Sequence, residues 1–133
     1  MGKLVKKTST QSPDIITVKI DEASGDYIYA GININVCQLA DGTYEWDCIE
    51  ITNGSGFFKV LENIHTADND TKYSVLITHI IRAYYNDHQM TAIINNHLLD
   101  PDDEKYTKEF NDMQKVRKTA KEISKQIVEN KLF

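Results

Sequence analysis

The spacing of apolar and polar positions changes period along the chain. From Ile15 the period is two: "IITVKI" runs into the turn-like "DEASGD", and "YIYAGININV" then alternates. Ile28, Ala30, Ile32, Ile34 and Val36 fall on one side, Tyr27, Tyr29, Asn33 and Asn35 on the other, which predicts a strand with one buried face. "LADGTYEWDCIEI" follows, and Asp41-Gly42 is a strong hairpin signal because glycine takes the positive φ that a two-residue turn demands. With that pair at the tip, Ile34 faces Ile49 and Ile32 faces Ile51, while Cys37 faces Trp46 and Asn35 faces Cys48 on the other side. "NGSG" at 53–56 ends the sheet, and the apolar residues of 57–68 fit strand, helix or loop alike.

From Thr71 the period becomes 3.6. Tyr73, Leu76, Ile77, Ile80, Ile81 and Tyr84 form one buried stripe, with Asp70 as N-cap. Asn86 and Gln89 have the spacing of a capping box that opens a second helix, with core positions Met90, Ile93, Ile94 and His97 or Leu98. That helix ends before Pro101, since a residue preceding proline avoids the α region. Asp100 as N-cap, Pro101, and the acids Asp102, Asp103 and Glu104 then start a long final helix with Tyr106, Phe110, Met113, Val116, Ala120, Ile123 and Ile127 along its stripe. The expected fold class is α+β, an N-terminal antiparallel β-meander of about three strands packed against about three C-terminal helices. Residues 1–13, without periodicity, read as a flexible lead-in; 14–133 form a single domain, with the sheet in 14–52 and mainly helix in 57–133.

Composition narrows the class. The 133 residues are 41% hydrophobic and 26% charged, as in an ordinary globular domain, and the net charge of -5 opposes a general nucleic-acid binder. No apolar run approaches the roughly 18 residues that span a bilayer, and "MGKLVKKTSTQSPD" lacks the apolar core of a signal peptide. A cytoplasmic protein without membrane contact is expected. Cys37 and Cys48 then read as reduced thiols.

Chemistry-bearing motifs are sparse. His65, His79, His88 and His97 are separated by 14, 9 and 9 residues, not by the four of a helical ligand pair. Counted from Asp100, a calcium loop would need glycine at its sixth place and glutamate at its twelfth, where Lys105 and Asn111 stand. There is no G-x-S-x-G and no phosphate loop. The expectation is a non-enzyme with no catalytic residues, no metal and no cofactor.

Two surfaces remain. Tyr27, Tyr29, Tyr44 and Trp46 share the sheet face away from the isoleucines and are candidates for contact with a protein partner or a second copy. Arg117, Lys118, Lys121 and Lys125 fall within an arc of about 100° on the last helix, a basic ridge. The two helices of residues 71–98 also have helix-turn-helix order, so the alternative is a small nucleic-acid-binding regulator using that unit and the basic helix. Against it, no Lys or Arg stands between Asn86 and Leu99 to anchor phosphates, and nucleic acid is the less favoured partner.

Three stretches, "DGTYEWDCIEI", "SVLITHIIRAYYNDHQMTAIINNHLLDP" and "EFNDMQKVRKTAKEI", resemble short prophage-encoded proteins of gut Bacteroidetes that are commonly placed among virion or tail genes. The resemblance covers residues 41 to 123 and brings no active-site residues. It implies a phage-derived structural or assembly protein, virion-associated, that acts through contacts with phage structural proteins.

Overall fold

Within the alternating stretch Ala30, Ile32 and Ile34 are buried as their spacing demands, whereas Ile28, at the start of the stretch, is 41% exposed. With Ile49 and Ile51 the buried three are at most 1% exposed and face Leu76, Ile80, Ile81, Ala120 and Ile127. The computed structural model describes residues 3–25, 27–52 and 67–132, with the side chains of Tyr27 and Thr52 excepted. His65 and residues 57–66 of the ambiguous segment lie outside the described residues. The fold is α+β. Strands β1 (Lys3–Ser9), β2 (Ile16–Ile20), β3 (Tyr27–Gln38) and β4 (Tyr44–Thr52) form an antiparallel sheet in the order β1-β4-β3-β2. Helices α1 (Asn69–Tyr84), α2 (Asp87–Leu99) and α3 (Glu104–Glu129) follow, and none is long and apolar enough to cross a membrane.

The N-terminal segment is a strand, not a flexible lead-in. β1 pairs along its whole length with β4, Lys3 opposite Glu50 through Ser9 opposite Tyr44. It shows no apolar period because Lys6 turns to the helix side, where its ammonium lies 2.9 Å from Asp47 and 3.6 Å from Glu45. Lysines and inward charges are common on edge strands, where they discourage pairing with another chain.

The register also differs from the expected one. Ile32 faces Ile49, Ala30 faces Ile51 and Ile34 faces Asp47. The hairpin turn takes one residue more: Leu39 donates to the Thr43 carbonyl (2.7 Å) and Gly42 adopts φ 87°, the three-residue loop with glycine in the left-handed region. A bulge at Asn35 (φ 55°) adds another shift, so that Cys37 faces Glu45 and Gln38 faces Tyr44. Alternation reverses there, and Val36 is 41% exposed instead of joining the isoleucines. Cys37 faces Glu45 instead of Trp46, and Asn33 instead of Asn35 faces Cys48. Both thiols are free.

Since β1 and β2 occupy opposite edges, the link between them crosses β4 and β3. Asn33, 5% exposed, fastens that crossover. Its amide nitrogen donates to the Asp14 carbonyl (2.7 Å) and the Thr17 hydroxyl (3.3 Å), and its oxygen accepts from the Trp46 indole (3.0 Å).

The helix boundaries rest on local caps. Asp68, not Asp70, caps α1 by accepting from the Thr71 N–H (2.7 Å). Asn86 and Gln89 form the expected capping box on α2 (2.7 and 2.9 Å). Asp103, not Asp100, caps α3, because the Asp100 N–H closes α2 on the Asn96 carbonyl and leaves Pro101 and Asp102 to the turn.

The core positions expected on α2 are corrected as well. No residue of α2 is buried; Met90 packs partly against the core, while Ile94, Leu98 and Leu99 are 36%, 71% and 79% exposed. The sheet is covered by α1 and α3, and α2 leans on α3 through His97, stacked on Phe110 with centroids 4.3 Å apart.

Asn33→Ala removes two donors and one acceptor from a buried site and leaves the Trp46 indole N–H unsatisfied. The expected loss of unfolding free energy is about 2 to 3 kcal/mol, read from urea denaturation; a change below about 0.5 kcal/mol would show that the crossover needs no such fastening.

Candidate functional site

The sheet surface opposite the helices is built around Gly31. A Cβ at this position would stand 2.7 Å from the Tyr29 hydroxyl oxygen and 3.1 Å from Cys48 Sγ, so only glycine lets the tyrosine lie across its strand. Tyr29 is held there by Lys7 of β1, whose Nζ donates to the phenol oxygen (3.0 Å), and by Cys48 of β4, whose Sγ is 3.7 Å away. Lys19 of β2 completes the arrangement. The ammonium groups of Lys7 and Lys19 each lie 5.4 Å from the centre of the Tyr29 ring. Glu50 lies 3.6 Å from Lys7 and is the acid beside this pair.

Lys7, Lys19, Tyr29 and Glu50, with Trp46, Asn33, Thr17 and Pro13, line a cleft of about 240 Å³. Burial pushes the Tyr29 phenol up to about 12, although the hydrogen bond from Lys7 works against it. Burial also raises the Cys48 thiol despite Tyr29 and Lys7. Both groups are therefore neutral near pH 7, and the cleft presents cations and an aromatic ring instead of an activated nucleophile.

The four candidate aromatics fare differently. Tyr29 is in the cleft, half-buried; Tyr44 is half-buried near the end of the sheet, opposite Ser9 and Gln38. Trp46 is only 7% exposed, with its indole N–H committed to Asn33. The Tyr27 side chain lies outside the described residues. Of the basic ridge on α3, Lys118, Lys121 and Lys125 are exposed and Arg117 is half-buried. The ridge and the cleft lie on opposite sides of the sheet, since α3 packs on the isoleucine face.

Sequence reasoning missed Lys7, Lys19 and Asn33. The signal for the lysines was their parity with Lys3 and Thr17 on short strands, but it has meaning only once β1 is known to pair. Among the described residues, no three His, Cys, Asp or Glu side chains converge as metal ligands. His79, on α1, is drawn down to about 4 by burial and then by Arg82, and His88 is exposed.

A second polar cluster joins sheet to helix. Asp47 Oδ2 accepts from Tyr84 Oη (2.8 Å) and from the Asn35 amide (3.1 Å), while Lys6 holds Oδ1. A pocket of about 240 Å³ beside it is lined by Asn35, Tyr84 and Lys115. Comparison with family profiles, curated proteins and solved structures gives no match for this chain.

Burial opposes ionisation of Asp47, but the hydrogen bonds from Asn35, Lys6 and Tyr84 outweigh it and hold its carboxyl below the usual carboxylate range. A depressed folded value means stability that is fully present above the unfolded value of about 3.9 and is lost as the pH falls through the folded one. In urea melts between about pH 5 and pH 2, Asp47→Asn should be less stable than the wild type at the upper end and converge on it at the lower. Parallel curves would contradict this.

Proposed function

We propose that this chain is a non-enzymatic interaction protein that seats an acidic segment of a protein partner on the solvent-facing side of its sheet, in the setting of phage particle structure or assembly. The setting is supported by the resemblance of residues 41 to 123 to prophage-encoded proteins. One observation carries the surface: lysines from opposite edges of the sheet bring their charges to the same 5.4 Å from one tyrosine ring.

Glu50 offsets one of those charges. An incoming carboxylate offsets the other and relieves the repulsion between the two ammonium groups. The cleft of about 240 Å³ lies below the roughly 300 to 1,000 Å³ of small-molecule pockets, and suits one or two side chains of an extended segment. In a chain of net charge -5, a local positive site sets the orientation of an acidic partner more than its affinity.

The single tryptophan borders the cleft and reports on it. Titration with a short Glu/Asp-rich peptide, followed by Trp46 fluorescence and by calorimetry, should show binding at low salt. Binding should weaken as the Debye length shrinks below about 10 Å, and should vanish in Lys7→Glu/Lys19→Glu. No heat and no fluorescence change at low salt would sink the reading, as would equal binding by the charge-reversed variant. Tighter binding of a single-stranded oligonucleotide than of the peptide would move this face to nucleic-acid recognition.

A further inference from the structure

We infer that copies of this chain associate head to tail, the exposed end of α2 in one copy seated against the lysine ridge of α3 in the next. Every residue from 98 to 105 is exposed, and this run, "LLDPDDEK", sets four carboxylates and one lysine directly after two leucines. Leu98 and Leu99 are 71% and 79% exposed, and Ile94 extends the apolar patch one turn back. Among the described residues Asp100, Asp102 and Glu104 have no ion pair. An open groove of about 680 Å³ runs from Asp102 and Glu104 along the first turns of α3.

The complement of this surface is on the same chain. Lys118 and Lys121 are exposed and have no ion pair among the described residues, and Lys125 reaches only Glu129, at 3.8 Å. Glu122 shares their face, so the ridge stays basic but not strongly so. Lysine stems are apolar along their length and cover leucine side chains while their ammonium groups reach acids beyond them. From Glu104 to Lys118 is about 21 Å along the helix axis. The two surfaces therefore cannot meet within one copy, and a second copy is the occupant that supplies the match.

Pairing the exposed end of α2 on itself about a two-fold axis is the weaker solution, because the acidic run would then meet acids of its own kind. A contact between two different surfaces leaves one of each unsatisfied at the ends, so the assembly grows with concentration instead of closing at two.

The test uses weight-average mass by light scattering and ultracentrifugation over a concentration series at low and high salt. Mass should rise with concentration and fall with salt. Leu98→Asp and the double variant Lys118→Glu/Lys121→Glu should each weaken association by roughly tenfold or more, with circular dichroism unchanged because these side chains are on the surface. Mixed one to one, the two variants should form a dimer that grows no further, since one native patch and one native ridge remain. A wild type that stays monomeric up to its solubility limit overturns the inference, as does a ridge variant that associates normally or a mixture that stays monomeric. Loss of association in Lys7→Glu/Lys19→Glu with the ridge variant unaffected would place the acidic run in the sheet cleft and overturn it too.

Discussion

The arrangement of the sheet depends on one buried amide. A chain that begins on one edge strand and continues on the opposite edge must carry its link across two central strands, and that link exposes backbone groups that need partners. Asn33 supplies them on a face where no helix lies: it receives the indole N–H of Trp46 and donates to the Asp14 carbonyl and the Thr17 hydroxyl. Trp46 is buried under these constraints although the helices pack on the other side. Pro13 of the crossover lines the cleft together with Tyr29, Trp46 and Asn33.

Asn35, two residues on, works in the opposite direction. Its left-handed backbone inserts the bulge that turns the end of β3 over, and its side chain joins Asp47 and Tyr84 in tying the sheet to α1. An asparagine tolerates that conformation better than most residues. Lys6 of β1 completes the same cluster. One bulge thus decides both which side chains leave the core and where the helix layer is fastened.

Much of this architecture was legible from local patterns. The isoleucine alternation located the core face, the stripe of α1 was correct at Leu76, Ile80 and Ile81, and the Asn86–Gln89 pair placed a helix start to the residue. What could not be read depends on contacts distant in sequence. β1 has no period of its own because its inward charge is neutralised by Asp47, about forty residues away. The register was displaced by two small events, a longer turn and a bulge, each invisible in the hydrophobic pattern. The candidate cleft suffered most: its lysines come from two edge strands, and its aromatic wall was expected to be open where Trp46 is in fact covered.

The behaviour of α2 shows why periodicity misjudged its environment. Ile94 and Leu98 are spaced as core residues are, yet the helix is held by devices at its ends: the capping box at Asn86, the closing bond from Asp100 to Asn96, and the stack of His97 on Phe110. A helix fixed at its termini and along one edge does not require its remaining apolar side chains for folding. Their exposure is therefore not explained by the fold, and water gains nothing from them. Large apolar residues left in solvent beside a run of acids are thus a property of the surface of α2, set apart from the core that α1 and α3 close over the sheet.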